Sequence, residues 1–478
     1  MTEQQFIGID FGTTNTAVCV MTKNETGVNF TNYGEGGFPF SSIVAIPKDD
    51  NDETLQFGRS VRERMQELSK THRIIKSMKT YLDSDEEFVV GGKRYSAVDI
   101  TAAFLTDIKE YIYKNYNIDI TESVLACPVD FSPLARKRLK KAAETAGIKV
   151  AGFVSESTAA YMACREQTKA YRKIMVVDWG GGTLDISILH IKGSSVFEDA
   201  VYGEQIGGDD IDLELAYNIH ARLANKYHVD KSFDDMEPED RDQLINVCEQ
   251  AKIEFSDFDD DFPIQLRNYG EFGTRVESLS YNDFCEIVMS IVKTRALKVI
   301  NTALQRAGLT ISAIDAVIIS GGSSGLRPFE SAAMKIFGDK IIIPNNLQWV
   351  VAHGAAMFAA SGGNQRLSET LGVVLSDTSV YPILEKEKDY VGCKKATVNF
   401  ALTEDSQSAQ FIFSNENQTV NYGILNVPTK GYLDEKISLE AEIDPSMIVT
   451  ITLKNPTMGK NCIEKIQINK LPFYYELN

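Results

Sequence analysis

The sequence has no C-x-x-C pair, no run approaching 18 uninterrupted apolar residues and no surplus of positive charge. Its seven cysteines, Cys19, Cys127, Cys164, Cys248, Cys285, Cys393 and Cys462, are scattered singly, which points to a reducing compartment. Without a long apolar run there is no candidate transmembrane helix. The opening residues Met1 to Gln5 carry no basic n-region or cleavage site, so a cytoplasmic, non-membrane protein is expected. Lys and Arg number 49 against 67 Asp and Glu, a net charge of −18, and a field of that sign repels nucleic acid and anionic membrane. No G-x-x-x-x-G-K-[ST] occurs, so a P-loop NTPase is excluded by its own signature. The five histidines, His72, His190, His220, His228 and His353, lack metal-binding spacing such as H-E-x-x-H.

What is present is a soluble globular composition, with 43% hydrophobic and 24% charged residues over 478 positions. At roughly 150 residues per domain that length predicts about three domains or lobes. Two segments look alike: Phe6 to Val20 (FIGIDFGTTNTAVCV) and Ile174 to Ile188 (IMVVDWGGGTLDISI). Each reads as an apolar strand, an Asp, a bulky residue, a Gly/Thr turn and a second strand. Asp10 and Asp178 lie 168 positions apart, so a duplicated α/β core of two lobes is the economical reading. Lobe I spans about 1–170 and lobe II about 171–360.

Helical periodicity covers Ala97 to Tyr116 and Leu134 to Ala146, the latter opened by Ser132-Pro133 and closed by Gly147. Lobe II contributes helices over Leu213 to Tyr227, Asp242 to Phe255 and Tyr281 to Ala307, then a strand at Ala316 to Ser320 and the turn Gly321-Gly322-Ser323. After Ala360 the texture changes. Residues 361–371 read as a short polar linker, and 372–478 as a small antiparallel β-sandwich. There Ile437, Leu439, Ala441 and Ile443 alternate with polar residues, as do Val449, Ile451 and Leu453.

Glycine and small residues let backbone N–H groups approach an anion, and hydroxyls add donors. Gly12, Thr13 and Thr14 after Asp10 therefore read as one phosphate cradle, and Gly180, Gly181, Gly182 and Thr183 after Asp178 as a second. Asp10, Asp178 and Asp185 supply hard oxygens suited to Mg²⁺ or its waters. Two such cradles imply a nucleotide held between lobes.

These residues resemble the heat shock protein 70 chaperone family. The likeness is carried by GIDFGTTNT at Gly8 to Thr16, CPVDF at Cys127 to Phe131 and SESTAA at Ser155 to Ala160. VVDWGGGTLDISIL at Val176 to Leu189, GGDD at Gly207 to Asp210 and ISGGSS at Ile319 to Ser324 complete it. The resemblance implies an actin-like (ribonuclease H-like) two-lobed ATPase domain over 1–360, followed by a β-sandwich that grips extended hydrophobic peptides. It implies ATP or ADP with Mg²⁺, K⁺ as a further cation, and co-chaperones as partners. Carried over, Asp10, Lys79, Glu156, Asp178 and Asp185 form the catalytic set, with Lys79 matching the family lysine better than Lys76. Asp10 and Asp178 hold the metal, through water. Nucleotide contacts fall on Gly12, Thr13, Thr14, Gly180, Gly181, Gly182, Thr183, Gly208, Glu249, Lys252, Ser256, Gly321, Gly322 and Ser323. Pro128 and Arg136 match residues that relay nucleotide state.

The sequence also departs from the family. Ile253 and Gly325 stand where two basic side chains sandwich the adenine, so weaker or less base-selective binding is expected, with Arg327 as a substitute. Ser157 replaces a proline after the catalytic glutamate, and Gln348 an acidic residue. The aliphatic linker is replaced by Gly362 to Arg366, and no helical lid follows the sandwich, so rapid peptide exchange is expected. The basic run Arg136 to Lys141 reads as a solvated helix face, and Asp257 to Asp261 as a charged turn rather than a calcium loop. The expected function is an ATP-dependent chaperone whose slow hydrolysis is coupled to peptide binding. The rivals are an actin-like small-molecule kinase, a filament-forming protein, and a nucleotide-binding module with little hydrolysis.

Overall fold

The apolar residues of Gln4–Phe11 and Asn15–Asn24, among them Ile7, Ile9, Phe11, Val18 and Val20, are buried, as expected for strands covered on both faces. A computed structural model describes residues 4–24, 27–49, 52, 54–129, 131–433, 435–469 and 471–477, and the side chains of all but Gln66, Ala396 and Thr397 among them. Asp130 of the Cys127 to Phe131 motif lies outside the described residues.

The first sheet runs, in spatial order, Gly27–Tyr33, Asn15–Asn24, Gln4–Phe11, Glu122–Cys127 and Lys149–Ser155, with Phe40–Ser41 added beside Asn15–Asn24. The first three strands are antiparallel neighbours, and the last two join in parallel. Parallel neighbours need long crossovers, here supplied by helices Ala97–Tyr116 and Pro133–Thr145. Both helices start where the sequence dictates. Ser96 and Asp99 form a reciprocal capping box, and Ser132 caps the second helix with Pro133 at its first position.

Lobe II repeats the topology: Ser195–Glu204, Leu184–Lys192, Lys173–Trp179, Ala316–Ser320 and Ile341–Ile342, with the same parallel and antiparallel assignments. This is the duplicated actin-like core. Trp179, fully buried, donates its indole N–H to the Ile206 carbonyl (3.0 Å) and lies edge-on to Phe329 at 4.7 Å. The strand end that carries Asp178 is thereby pinned to helix Arg327–Phe337. The lobes meet where Val350–Ser361 crosses Glu156–Ala163. A side chain at Gly354 would lie 2.7 Å from the Ala159 Cα, so only glycine permits that approach.

The helical reading of 281–307 holds with one interruption, a π-helical turn at Val292–Ala296 between Tyr281–Ile291 and Leu297–Arg306. The sandwich stacks two four-stranded antiparallel sheets. One is ordered Val380–Leu384, Leu371–Val374, Ser408–Asn415, Asn421–Pro428, and the other Lys394–Ala401, Lys436–Ile443, Val449–Lys454, Ile463–Ile468. Ile437, Leu439, Ala441, Val449, Ile451 and Leu453 point into its core, so the two-residue alternation fixes which face is dry.

Two segments differ from expectation. The stretch read as a polar linker contains the strand Asn364–Leu367, and the final stretch of the expected sandwich contains Phe473–Glu476, which leaves it. Phe473–Glu476 pairs with Asn364–Leu367 on one side and with Ser195–Val196 on the other, extending the lobe II sheet to seven strands. Buried Tyr475 and Leu477 supply the apolar side chains that the polar 361–366 segment lacks.

Candidate functional site

The two Gly/Thr turns face each other across the cleft. A side chain at Gly181 would overlap Thr14 Oγ1 and lie 2.7 Å from the Thr14 Cβ, and one at Gly182 would lie 3.7 Å from Thr13 Cγ2. Such closeness between segments 168 positions apart requires both sheets to deliver their first strand ends to one point. Each turn is braced from behind. Ser42 donates to the Gly12 carbonyl (3.0 Å), and its amide to the Thr14 carbonyl (2.9 Å). In lobe II, Gly180 N–H donates to Thr183 O (2.9 Å), while Gly180 O accepts from Ser323 Oγ (2.8 Å) and Gly208 N–H (3.1 Å). Gly208, at the N-terminus of helix Gly208–Tyr227, therefore sits against Gly180–Gly181. A side chain at Gly321, φ +85°, would come within 2.5 Å of Asp178 Oδ1, which places the Gly321–Gly322–Ser323 turn directly beneath that carboxylate.

Behind the turns lies a cluster of charges. Lys79 donates to Glu156 Oε1 at 2.6 Å, with 7% and 16% of the two side chains exposed. Lys79 rides on a single helical turn, Met78–Tyr81, entered through Ser77 at φ +58°, a strained conformation for a non-glycine residue. Desolvation alone would lower the Lys79 ammonium, but Glu156 and Asp10 hold it charged and raise it above its usual range. Asp10 is pushed up to about 7 by desolvation and by Glu156, with Lys79 opposing. Asp178 is raised well above the carboxylate range by desolvation, Glu156, Asp10 and its cross-strand neighbour Asp185. Lys79 is also 5.8 Å from the Phe131 ring, whose carbonyl accepts from Arg136 Nη1.

At the cleft mouth Arg62 of lobe I is ion-paired with Glu249 of lobe II, with Nε 3.2 Å from Oε2. Lys252 donates to Asp212 Oδ2 (2.5 Å) and Gly208 O (3.0 Å), and Asp212 is raised to about 7, chiefly by desolvation. Ser256 turns back to the Lys252 carbonyl (3.4 Å). Ile253 is 52% exposed, and Gly325 lies against Leu347. Arg327 does not stand in for an adenine-stacking cation: it lies over Tyr281 at 4.3 Å and bonds the Phe255 and Phe258 carbonyls.

The Hsp70 protein family model matches residues 6–470, nearly the whole of this geometry. The chain belongs to the Hsp70 family. That family binds ATP, hydrolyses it with Mg²⁺ and acts as a peptide-binding chaperone, in which co-chaperones take part. The fit of this Hsp70 chain to such a ligand is testable on its own atoms. Thr14 Oγ1 is buried with no partner, as a donor awaiting an anion would be. Asp10 and Glu156 face the Lys79 ammonium, and Asp178 adds a third carboxylate that both of them raise, a surplus of negative charge that a divalent cation would offset. Among the described residues no three His, Cys, Asp or Glu side chains are grouped to ligate a metal directly. Also among them, no helix is long and apolar enough to cross a membrane.

Sequence reasoning missed Arg62, Ser42 and Asp212, which act from segments with no motif of their own. It also missed Glu198. There the departure at Ser157 held a clue, because its hydroxyl donates to Glu198 Oε1 at 3.0 Å. A proline could not.

Proposed function

We propose that this chain binds ATP between its lobes, hydrolyses it slowly and uses the nucleotide state to set how its β-sandwich holds extended hydrophobic peptide. The observation that carries this reading is the apposition of Thr14 with Gly181, two cradles meeting at one point beside the Lys79–Glu156 pair. Thr13, Thr14, Thr183 and the turn amides would bind phosphate oxygens, with Gly208, Ser323 and Lys252 at the lobe II side. Mg²⁺, when bound, neutralises phosphate charge, and Asp10 and Asp178 would hold it through waters. Phosphoryl transfer asks little covalent work of a protein. Lys79 supplies a fixed positive charge for the spreading phosphoryl charge, and Glu156 and Asp10 orient the attacking water and receive its proton. Glu249, ion-paired with Arg62, closes the mouth. The exposed Ile253 supports weaker base selection than a cation stack gives.

For peptide, the edge strand Lys394–Ala401 is the natural seat. Its outer side bears no paired strand among the described residues, and Tyr381 and Phe400 lie edge to face beside it at 5.7 Å. Seven unpaired cysteines support a reducing compartment, the cytoplasm. Phosphate release from Mg·ATP, with labelled hydrophobic peptide followed by anisotropy with and without ATP, tests the reading. Release above the Lys79→Ala background and ATP-dependent peptide anisotropy are expected. Release equal in both proteins would refute the hydrolysis assignment, and absent peptide binding would refute the chaperone half.

A further inference from the structure

Ser155 carries three bonds that join distant parts of the chain. Its hydroxyl accepts from the Thr158 amide (3.0 Å) as the N-cap of helix Glu156–Ala163, and donates to Glu198 on the lobe II strand Ser195–Glu204. Its own amide donates to the Tyr475 hydroxyl (2.8 Å) in a buried contact. Ser157 (3.0 Å) and Thr158 (2.9 Å) also donate to the same oxygen of Glu198. The next residue after Ser155 is Glu156, the partner of Lys79.

Tyr475 is itself firmly placed. It is 5% exposed, lies centrally between Gln365 and Val196 in the extended sheet, and packs edge-on against Phe358 at 5.8 Å. Gln365 hydrogen-bonds the same hydroxyl and donates to the Phe153 carbonyl (3.0 Å), on the strand that ends at Ser155. Four residues earlier, Leu471 is anchored in the sandwich core. The distance from sandwich to hydrolysis site is thus one short strand and one hydrogen bond. A phenylalanine would fill the ring's volume equally well, so the hydroxyl has a separate task, which is to hold the buried Ser155 amide.

We propose that Tyr475 is a positioning residue, through which the strand leaving the sandwich sets the Ser155–Glu156 turn and hence the aim of Glu156. This rests on the reading that the cleft hydrolyses ATP. Displacing the strand would free the Ser155 amide and loosen the cap on which Glu156 stands, while the phosphate cradles stay intact. The effect therefore falls on turnover and spares nucleotide affinity.

The test compares wild type with Tyr475→Phe in the full chain, with Tyr474→Phe as a control, since Tyr474 stacks on Phe197 at 4.7 Å away from the site. Three quantities are read: phosphate release at saturating Mg·ATP, ATP affinity, and amide hydrogen exchange over 153–160. For Tyr475→Phe the expected result is about fivefold slower release, the scale of one lost hydrogen bond, with unchanged affinity and faster exchange at 153–160. Gln365→Met should shift the same readouts by a smaller step. Unchanged release together with unchanged exchange at 153–160 overturns the proposal, as does a change confined to ATP affinity. A wild type that releases no phosphate overturns the hydrolysis reading instead, and the exchange measurement, which needs no turnover, still decides the part played by Tyr475.

Discussion

The two lobes are built on sheets of the same topology, yet their outer edges have opposite fates. In lobe I the edge strand Gly27–Tyr33 is exposed along its first five residues, and no strand pairs with its outer side among the described residues. In lobe II the equivalent edge, Ser195–Glu204, is extended by Phe473–Glu476 and then by Asn364–Leu367. Duplication alone would leave both edges alike. The difference shows where the sandwich is tied in: through lobe II by main-chain pairing and, among the described residues, to lobe I through side chains such as Arg136, whose Nε donates to the Ser446 carbonyl at 2.9 Å. The inner ends of the two sheets, by contrast, stay matched, with Asp10 and Asp178 at equivalent positions and their turns in contact.

The matched inner ends are broken most severely at Lys79, whose ammonium faces Asp10 and Glu156. Lys79→Ala should slow phosphate release by on the order of 100-fold or more, the cost of losing a preorganised charge at a transferring phosphoryl group. Rapid-quench release assays read it directly, and nucleotide affinity should change far less.

The outer edges are compared by one substitution placed on each. Leu477→Asp buries a carboxylate in the lobe II attachment, where Leu477 is 2% exposed, and should cost about 3 kcal/mol in urea unfolding. Val28→Asp, at a site 48% exposed on the bare lobe I edge, should stay within about 0.5 kcal/mol. Equal losses would mean the two edges do not differ in the way their pairing indicates.

Asp10 sharpens the comparison through pH. Its folded value, about 7, lies above the usual aspartate value of 3.8, so the folded state holds a proton that the unfolded chain has released. The nucleotide-free protein therefore loses stability from this group as pH rises from about 4 through about 7. Asp10→Asn, which keeps the neutral form at every pH, should be more stable than wild type by about 4 kcal/mol at pH 8 and show little difference at pH 4. Thermal melts across that range give the sign.

The smallest expected effect is at the mouth. Arg62→Ala removes the cross-lobe pair with Glu249, whose side chains are 27% and 19% exposed, and should speed nucleotide release by about two- to fivefold, the scale of a partly screened ion pair. Stopped-flow release of a fluorescent nucleotide measures it.

Much of this was legible in the residues. The repeat of strand, Asp and Gly/Thr turn gave away the duplicated sheets, because only backbone that must approach another group closely needs Gly181 and Gly12. The sandwich core followed from strict alternation at 437–443 and 449–453. What escaped were pairings that depend on where distant strands end up. Phe-Tyr-Tyr-Glu-Leu at 473–477 has the alternation of any half-buried strand, and nothing local says that its partner is Ser195–Val196 rather than another sandwich strand. Residues 361–366 looked like a linker since their own side chains are polar, and their order comes from main-chain bonds and from Arg366 paired with Glu476. Arg327 carried a cation near the expected base slot, but its reach to Tyr281 and the Phe255 carbonyl is a matter of packing that sequence does not encode locally.

The central claim is that Gly12–Thr14 and Gly180–Thr183 grip one triphosphate. A crystal structure of the chain with Mg²⁺ and a non-hydrolysable ATP analogue tests it most directly. The account predicts the β- and γ-phosphates between those two turns, within hydrogen-bond reach of the Thr14 hydroxyl, with Lys79 beside the γ-phosphate. An analogue bound elsewhere, with Thr14 still packed on Gly181, would contradict it.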